Sequence, residues 1–289
     1  MFNIKEYCAI FDGYYNDMNV AIYIGTEHIR SDERLVNLIE QLRNGGCDTY
    51  FTSSDEQLKT DTDLLLSVGG DGTFLSAAMK ASVADVPVAG VNLGRMGFLS
   101  EYRQEDILNA LVSGDYSLEE RTMLKANVVT GCLTIDNCPY ALNEMTVRRC
   151  GAAMLGVDVC VDGVMLPTYW GDGLVISTSS GSTAYSLSVG GPIVLPQSKV
   201  FLISPIAPHN LNVRPLVVPD TSVISLKVRS RDGRFEFSAD NRTTEVAEET
   251  IVEISMAHFS LKRVKLDKSN FIQALVEKLY WGEDVRNIR

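Results

Sequence analysis

Two groups of residues in this 289-residue chain have types and spacing suited to chemistry. The first is Gly69-Gly70-Asp71-Gly72-Thr73, entered from the apolar run Leu64-Leu65-Leu66-Ser67-Val68 and left through Phe74-Leu75-Ser76-Ala77-Ala78-Met79. Strand, glycine loop and helix in succession aim backbone N–H groups and a positive helix end at an anion, usually a phosphate. Glycine suits such a loop because a Cβ would bar positive φ and hold the backbone away from phosphate oxygens. Asp71 does not belong in a plain phosphate cradle. Its charge repels the ligand unless it binds a metal or takes a proton from an attacking hydroxyl. Taken alone, the loop reads equally well as a tight Asp-Gly turn.

The second group lies further along. Ala141-Leu142-Asn143-Glu144-Met145 sets an amide beside a carboxylate among apolar residues, a pair able to read sugar hydroxyls or base edges, or simply to cap a loop. After the apolar run Leu174-Val175-Ile176, the residues from Ser177 to Ser188 are mostly small and hydroxylated. A buried hydroxyl must find a partner, so this density points to a polar ligand with many acceptors. A serine nucleophile is disfavoured: there is no G-x-S-x-G, and His28, His209 and His258 are the three histidines. His209, in the proline-stiffened run Ile203-Ser204-Pro205-Ile206-Ala207-Pro208-His209, reads as structural.

The elements that must position these groups differ between the two parts of the chain. Residues 20–24 read as a strand, and 31–43 as a helix with Leu35, Leu38, Ile39 and Leu42 on one face and Gly45-Gly46 as its stop. The central loop and a further apolar strand at 86–91 follow. Alternating strands and helices, with strands apolar on both faces, predict a parallel sheet covered by helices and a ligand at the strands' carboxyl ends. A second glycine loop, Asn92-Leu93-Gly94-Arg95-Met96-Gly97-Phe98-Leu99, follows that strand, with Arg95 either a phosphate partner or a solvated side chain. Neither loop fits G-x-G-x-x-G with an acidic residue about 20 positions on, which disfavours ordinary Rossmann dinucleotide binding.

A helix at 105–112 ends at Gly114, and from Met123 strands dominate. Ile224, Leu226 and Val228 alternate with polar residues; Asp162-Gly163 reads as a hairpin turn. Val264 and Leu266 fall out of phase with Phe259 and Leu261, which predicts a bulge near Lys262-Arg263. Phe271, Leu275 and Leu279 define an amphipathic tail helix that must dock on another surface, the first domain being the candidate. The expected division is an α/β domain at 19–122 joined by the helix at 268–289, an all-β domain at 123–267, and an N-terminal extension at 1–18.

A net charge of -11 argues against nucleic acid or an anionic membrane as the default partner. Six cysteines without C-x-x-C spacing read as free thiols of a reducing cytoplasm, and no 18-residue apolar run predicts a membrane span. The expectation is a soluble cytoplasmic protein; a phosphorylated small molecule, which needs only a few local donors, stays open as a partner.

In order, Gly69-Gly70-Asp71-Gly72-Thr73, Asn92-x-Gly94-x-x-Gly97-Phe98-Leu99, Asn143-Glu144, Asp172-Gly173-Leu174-x-Ile176-Ser177-Thr178, Gly181-Ser182-Thr183-Ala184-Tyr185-Ser186-Leu187-Ser188 and Pro208-His209-Asn210-Leu211-x-x-Arg214-Pro215 resemble the motifs of the NAD kinase family. The likeness runs from about Asn19 to the tail helix. The first loop alone is shared with lipid and sphingoid kinases; the other motifs are narrower. The resemblance implies an α/β nucleotide-binding domain followed by a β-sandwich, the last helix returning to the first domain. It implies transfer of the γ-phosphoryl group of ATP, with a divalent metal (Mg²⁺ or Mn²⁺), to the 2′-hydroxyl of the adenosine ribose of NAD. Asp71 matches the catalytic base, beside Gly72 and the loop residues Gly69, Gly70 and Thr73. Asn143 and Glu144 match the pair that helps hold NAD, and Asp172 an acid reaching the nicotinamide side, in some members across a subunit interface. Thr183, Ala184, Tyr185 and Ser188 match the adenosine pocket, and Ala207 a further lining position. A homodimer or homotetramer is implied. Two departures stand out: Ser179-Ser180 replaces the usual Pro-Thr, keeping a hydroxyl at Ser180, and Ser238-Ala239-Asp240-Asn241-Arg242 stands where Asp-Gly-Gln is common. The rivals are a lipid kinase, which would need an acyl site or membrane-binding face, and a non-catalytic NAD(P) sensor.

Overall fold

The computed structural model describes residues 18–94, 97–133, 135, 138–267 and 270–279. The chain divides into two compact units, Met1–Glu119 with Lys262–Arg289, and Glu120–Leu261. The sequence-based limits at 122/123 and 267/268 lie a few residues further along. Among the described residues, no helix is long and apolar enough to cross a membrane.

The first unit is built on a six-stranded sheet in the order Asp48–Thr52, Asn19–Ile24, Leu64–Val68, Val88–Val91, Leu261–Leu266, Tyr116–Arg121. Its pairings across the first five strands are parallel. Leu64–Val68 and Val88–Val91 are buried at every position, because helices or loops cover both faces; this is why their sequences are unbroken apolar runs. The helix Glu33–Asn44 packs Leu35, Leu38, Ile39 and Leu42 into the core. It starts at Glu33 and not at Ser31, because Asp32 caps it by accepting from Arg34 N–H, and Glu27–Ser31 form a separate 3₁₀ turn. The helix Gln104–Ser113 ends where Gly114 takes φ 74°.

Two expectations need correction. The phase slip at Lys262-Arg263 has a different origin from the predicted bulge: Leu261–Leu266 enters the parallel sheet, where Leu261, Arg263, Val264 and Leu266 are all buried. The tail helix Phe271–Leu279 buries Ala274 and Leu275, whereas Leu279 is exposed. Its contact runs instead through Phe271, whose ring centroid lies 6.2 Å from that of Phe98. The strand Tyr116–Arg121 was not foreseen, since its charged residues hide any apolar alternation.

The second unit holds two antiparallel sheets. The seven-stranded one runs Val164–Met165, Leu155–Val161, Ile224–Arg229, Ile251–Met256, Leu124–Thr130, Tyr140–Ala141, with Tyr169–Gly171 also on Leu155–Val161. The six-stranded one runs Leu216–Pro219, Val200–Ile206, Gly173–Thr178, Glu144–Arg148, Arg234–Ala239, Arg242–Ala247. Their inner faces share one apolar cluster, to which the first gives Val157, Val159, Ile224 and Leu226 and the second Met145, Val147, Ile176, Phe201, Phe235 and Phe237. Asp162 (φ 50°) and Gly163 (φ 82°) form the expected hairpin turn with both central residues left-handed. Phe235, fully buried, should cost about 3–5 kcal/mol of unfolding free energy when changed to Ala. Val164, 65% exposed, should change stability by no more than about 0.5 kcal/mol in the same substitution; urea denaturation of both variants checks the pair.

Candidate functional site

In the first unit the predicted glycine loop sits at the carboxyl end of Leu64–Val68 and opens the helix Asp71–Ala84. The helix starts at Asp71, two residues before Thr73, with Gly70 as an N-cap that supplies no side-chain acceptor. The glycines divide by role. Gly69 (φ 153°) closes over Thr73, whose Oγ1 would lie 2.6 Å from a Cβ placed there. A Cβ on Gly70 or Gly72 would meet nothing within 4 Å. Backbone is therefore open to a ligand at the helix start, as a phosphate cradle requires.

Asp71 heads that helix, and the second glycine loop grips it. Its Oδ1 accepts from the N–H of Leu99 (3.0 Å) and Ser100 (2.9 Å), and its Oδ2 from Phe98 N–H (2.9 Å). Gly97 is obligatory for this approach, since a Cβ would fall 1.9 Å from Asp71 Oδ1. Gly90 has a matching task, admitting Leu99 O and Ser100 Cα to within 3 Å of where its Cβ would stand. The tail helix braces the loop: Lys278 Nζ donates to Gly97 O and lies 4.8 Å from the Phe98 ring centroid. Burial pushes the Lys278 ammonium down, opposed by the charges of Glu101 and Asp71. Nothing in the sequence signalled Lys278; its partners are some 180 positions away. Arg95, read from the sequence as either a phosphate partner or a solvated side chain, lies outside the described residues.

The second unit collects most of the other predicted residues on the outer face of its six-stranded sheet. Glu144 stands opposite Ser177, and Thr146 lies between Val175 and Ser238, with Thr146 Oγ1 2.6 Å from Ser238 Oγ. The turns Ser180–Thr183 and Tyr185–Ser188 follow directly from Gly173–Thr178. Gly181 lets the first turn touch the 142–144 segment, as a Cβ would be 2.1 Å from Asn143 O. Thr183, Ala184 and Tyr185 are half-buried and Ser188 is exposed.

Many of the hydroxyls have internal duties. Thr178 Oγ1 donates to Leu142 O (2.6 Å), Ser179 to Pro196 O (2.9 Å), Ser182 to Val194 O (3.1 Å), and Ser186 meets Ser204 at 3.1 Å. Ser180 Oγ accepts from Arg121 at 3.2 Å. Internal partners therefore account for part of the hydroxyl density that the sequence assigned to a ligand. Four buried polar atoms on or beside this face have no partner: Asn143 Oδ1, Glu144 Oε2, Arg148 Nε and Ser177 Oγ. Orphans of that kind are expensive unless a polar ligand completes them.

Asp240 underlies the 142–144 segment. It has φ 51° in the tight connection between Arg234–Ala239 and Arg242–Ala247, and its carboxylate accepts from the N–H groups of Leu142 (2.8 Å), Asn143 (2.8 Å) and Glu144 (3.2 Å). The stretch flagged as a departure thus sets the backbone of the predicted Asn-Glu pair. Arg242 reaches away, donating to Cys138 O (2.7 Å) and Tyr140 O.

Asp172 and Ala207 come together elsewhere. Asp172 N–H donates to Ile206 O (3.0 Å), next to Ala207, which has φ 43°. Both lie at the Gly173 end of the strand, whereas Glu144 pairs with Ser177. That four-residue step is about 13 Å of strand. Arg149 Nε meets Asp172 Oδ1 at 2.8 Å. His209, expected to be structural, is exposed, and its backbone N–H donates to Trp170 O. Among the described residues no group of three or more His, Cys, Asp or Glu is placed to hold a metal.

Comparison with known proteins gives this geometry a family. The ATP-NAD kinase N-terminal domain matches residues 17–116 and the ATP-NAD kinase C-terminal domain residues 142–266. The chain is 41% identical over 239 residues to an NAD kinase of Flavobacterium psychrophilum, covering 81% of each chain. It is 37% identical over 288 residues to an NAD kinase of Flavobacterium johnsoniae, covering 98% of this chain and 94% of that one. Among solved structures, an NAD kinase from Archaeoglobus fulgidus in complex with ATP superposes with TM-score 0.73 at 25% identity, covering 91% of this chain and 99% of that one. The yeast NADH kinase complexed with NADH shares the fold, with TM-score 0.82 at 23% identity over 95% of this chain and 91% of that one. With both domain models matched in chain order over more than half its length, the chain belongs to the ATP-NAD kinase family.

Proposed function

We propose that the protein is an NAD kinase, which moves the γ-phosphoryl group of ATP to the 2′-hydroxyl of the adenosine ribose of NAD and so makes NADP. The observation that carries this reading is Asp71, a carboxylate clamped by three backbone N–H groups at the head of a helix whose Gly70 and Gly72 backbone is open. A secondary ribose hydroxyl is a weak nucleophile, so a fixed carboxylate that takes its proton as the new bond forms has a defined task. Asp71 Oδ2 receives one N–H where Oδ1 receives two, which leaves Oδ2 the freer oxygen for that proton. Backbone N–H groups at the helix start, with Gly69, Gly70, Gly72 and Thr73, neutralise charge on the phosphates.

In this reading Asn143 and Glu144 hold NAD, and Ser180, Thr183, Ala184, Tyr185 and Ser188 form the wall around its adenosine. The orphaned Asn143 Oδ1 and Glu144 Oε2 support that role. Asp172 and Ala207, about 13 Å along the sheet from Ser177, serve the nicotinamide end, in a homodimer or homotetramer. The two-domain reading draws support from the two compact units, with the return to the first domain beginning at Lys262 and not at 268, since Leu261–Leu266 joins the first sheet, and with the tail helix grouped with the first unit. The divalent metal, Mg²⁺ or Mn²⁺, comes with the ATP phosphates as part of the substrate. The site of action is the cytoplasm; the described cysteines are all free, which suits a reducing compartment.

The test is to incubate the protein with NAD, ATP and Mg²⁺ and couple NADP to an NADP-specific dehydrogenase; silence with NAD binding intact would favour a sensor instead. Asp71→Asn should lower turnover by about 10²–10⁴-fold with NAD affinity much less changed. Retained turnover would remove Asp71 from the role of base. Gly97→Ala puts a methyl group where Asp71 Oδ1 now lies. We expect turnover to fall by at least roughly tenfold while calorimetric NAD affinity stays close to that of the unaltered protein.

A further inference from the structure

We infer that Glu144 works as a neutral carboxylic acid, kept protonated by its buried setting and by the Asp240 carboxylate beside it, and so offers ligand hydroxyls a donor as well as an acceptor. This rests on the reading that the Asn143-Glu144 pair holds NAD.

The argument is a count of donors around two carboxyl groups that share one buried place. Asp240 receives three backbone N–H groups, from Leu142, Asn143 and Glu144, and its charge is further favoured by Arg242. Glu144 receives one, the N–H of Tyr185, and its Oε2 is buried with no partner at all. Two carboxylates so placed do not both keep their charge, and the proton goes to the one less supplied with donors. Asp240 holds the charge because its N–H groups cannot be turned away: they belong to the segment that carries Glu144. Burial, then the Asp240 charge, push the Glu144 carboxyl up to about 8. Burial raises the Asp240 carboxyl as well, and its three N–H groups and Arg242 offset only part of that rise.

The other charges near this face do not supply Glu144 with a counter-ion. Arg148 is bound to Glu236 and to the Tyr185 side chain, and Arg121 donates to Ser180. A protonated Glu144 also suits its neighbour. Asn143 Oδ1 is a buried acceptor lacking a donor, and a Glu144 O–H is a donor lacking an acceptor. A vicinal diol or a hydroxyl beside a ring nitrogen satisfies both kinds of group, whereas an anionic Glu144 could only accept. Asp240 is then a positioning residue twice over, holding the segment by its oxygens and the proton by its charge.

The sign follows directly. A carboxyl raised to about 8 is neutral below that pH and ionised above it. Calorimetry should therefore find NAD dissociation constants level from pH 6 to 7.5 and rising about tenfold per unit beyond pH 8. Glu144→Gln should abolish that alkaline rise. Asp240→Asn, which removes the neighbouring anion, should shift its onset downwards by at least about one unit. A level profile in the unaltered protein, or a rise that survives Glu144→Gln, overturns the donor role. An onset unmoved by Asp240→Asn overturns the part given to Asp240. Should that variant fail to fold, difference infrared spectroscopy of the unaltered protein against Glu144→Gln, without ligand, decides. A carboxylic-acid C=O band present at pH 7 and lost through pH 8 is expected, and its absence overturns the protonation. Because this readout needs neither NAD nor turnover, it separates failure of the proton assignment from failure of the kinase reading.

Discussion

A half-buried carboxylate caught by three consecutive backbone N–H groups is the interaction on which both units depend. Asp71 is held by residues 98–100 and Asp240 by residues 142–144. Burying an anion is costly unless donors take the place of water, and main-chain donors cannot rotate away as side-chain donors can. Each grip therefore works in both directions. The N–H groups fix the acid, and the acid gives an irregular loop one conformation in place of many.

The geometry around each grip follows from that exchange. Gly97 and Gly90 are glycine because loop 97–100 must lie against both Asp71 and the strand Val88–Val91. Gly181 has the same purpose against Asn143 O. In each case a single Cβ would push backbone from backbone or from carboxylate, and cores do not yield by that much. The tail helix adds a distant brace through Phe271 and Lys278. Precision at the two candidate sites is thus a packing property assembled from segments far apart in the chain.

The outer face of the six-stranded sheet shows how a polar surface is held ready. Thr178, Ser179, Ser182 and Ser186 spend their hydroxyls on fastening the turns. What remains unsatisfied is confined to a few atoms, among them Asn143 Oδ1 and Glu144 Oε2. Fixed orphans cost folding energy but demand little reordering when a ligand arrives, which is the general advantage of preorganisation.

Patterns local in sequence were legible without coordinates. Leu35, Leu38, Ile39 and Leu42 announced a helix face, Leu64 to Val68 a doubly covered strand, and Asp162-Gly163 a hairpin, because each depends on neighbours within a turn or two. The motif string pointed to the family for a similar reason: glycines and acids at set spacing are short-range requirements of a loop. Tertiary structure alone decided what lies across the chain. It placed Leu261–Leu266 in the parallel sheet, where a bulge had been expected, and turned Leu279 outward. It set Lys278 on the loop that holds Asp71, and it made Asp240, which in the sequence was only a departure from a common triplet, the support of the Asn143-Glu144 pair. Residues about a hundred or more positions apart leave no periodicity to read, and which N–H a carboxylate meets is known only once both segments are folded.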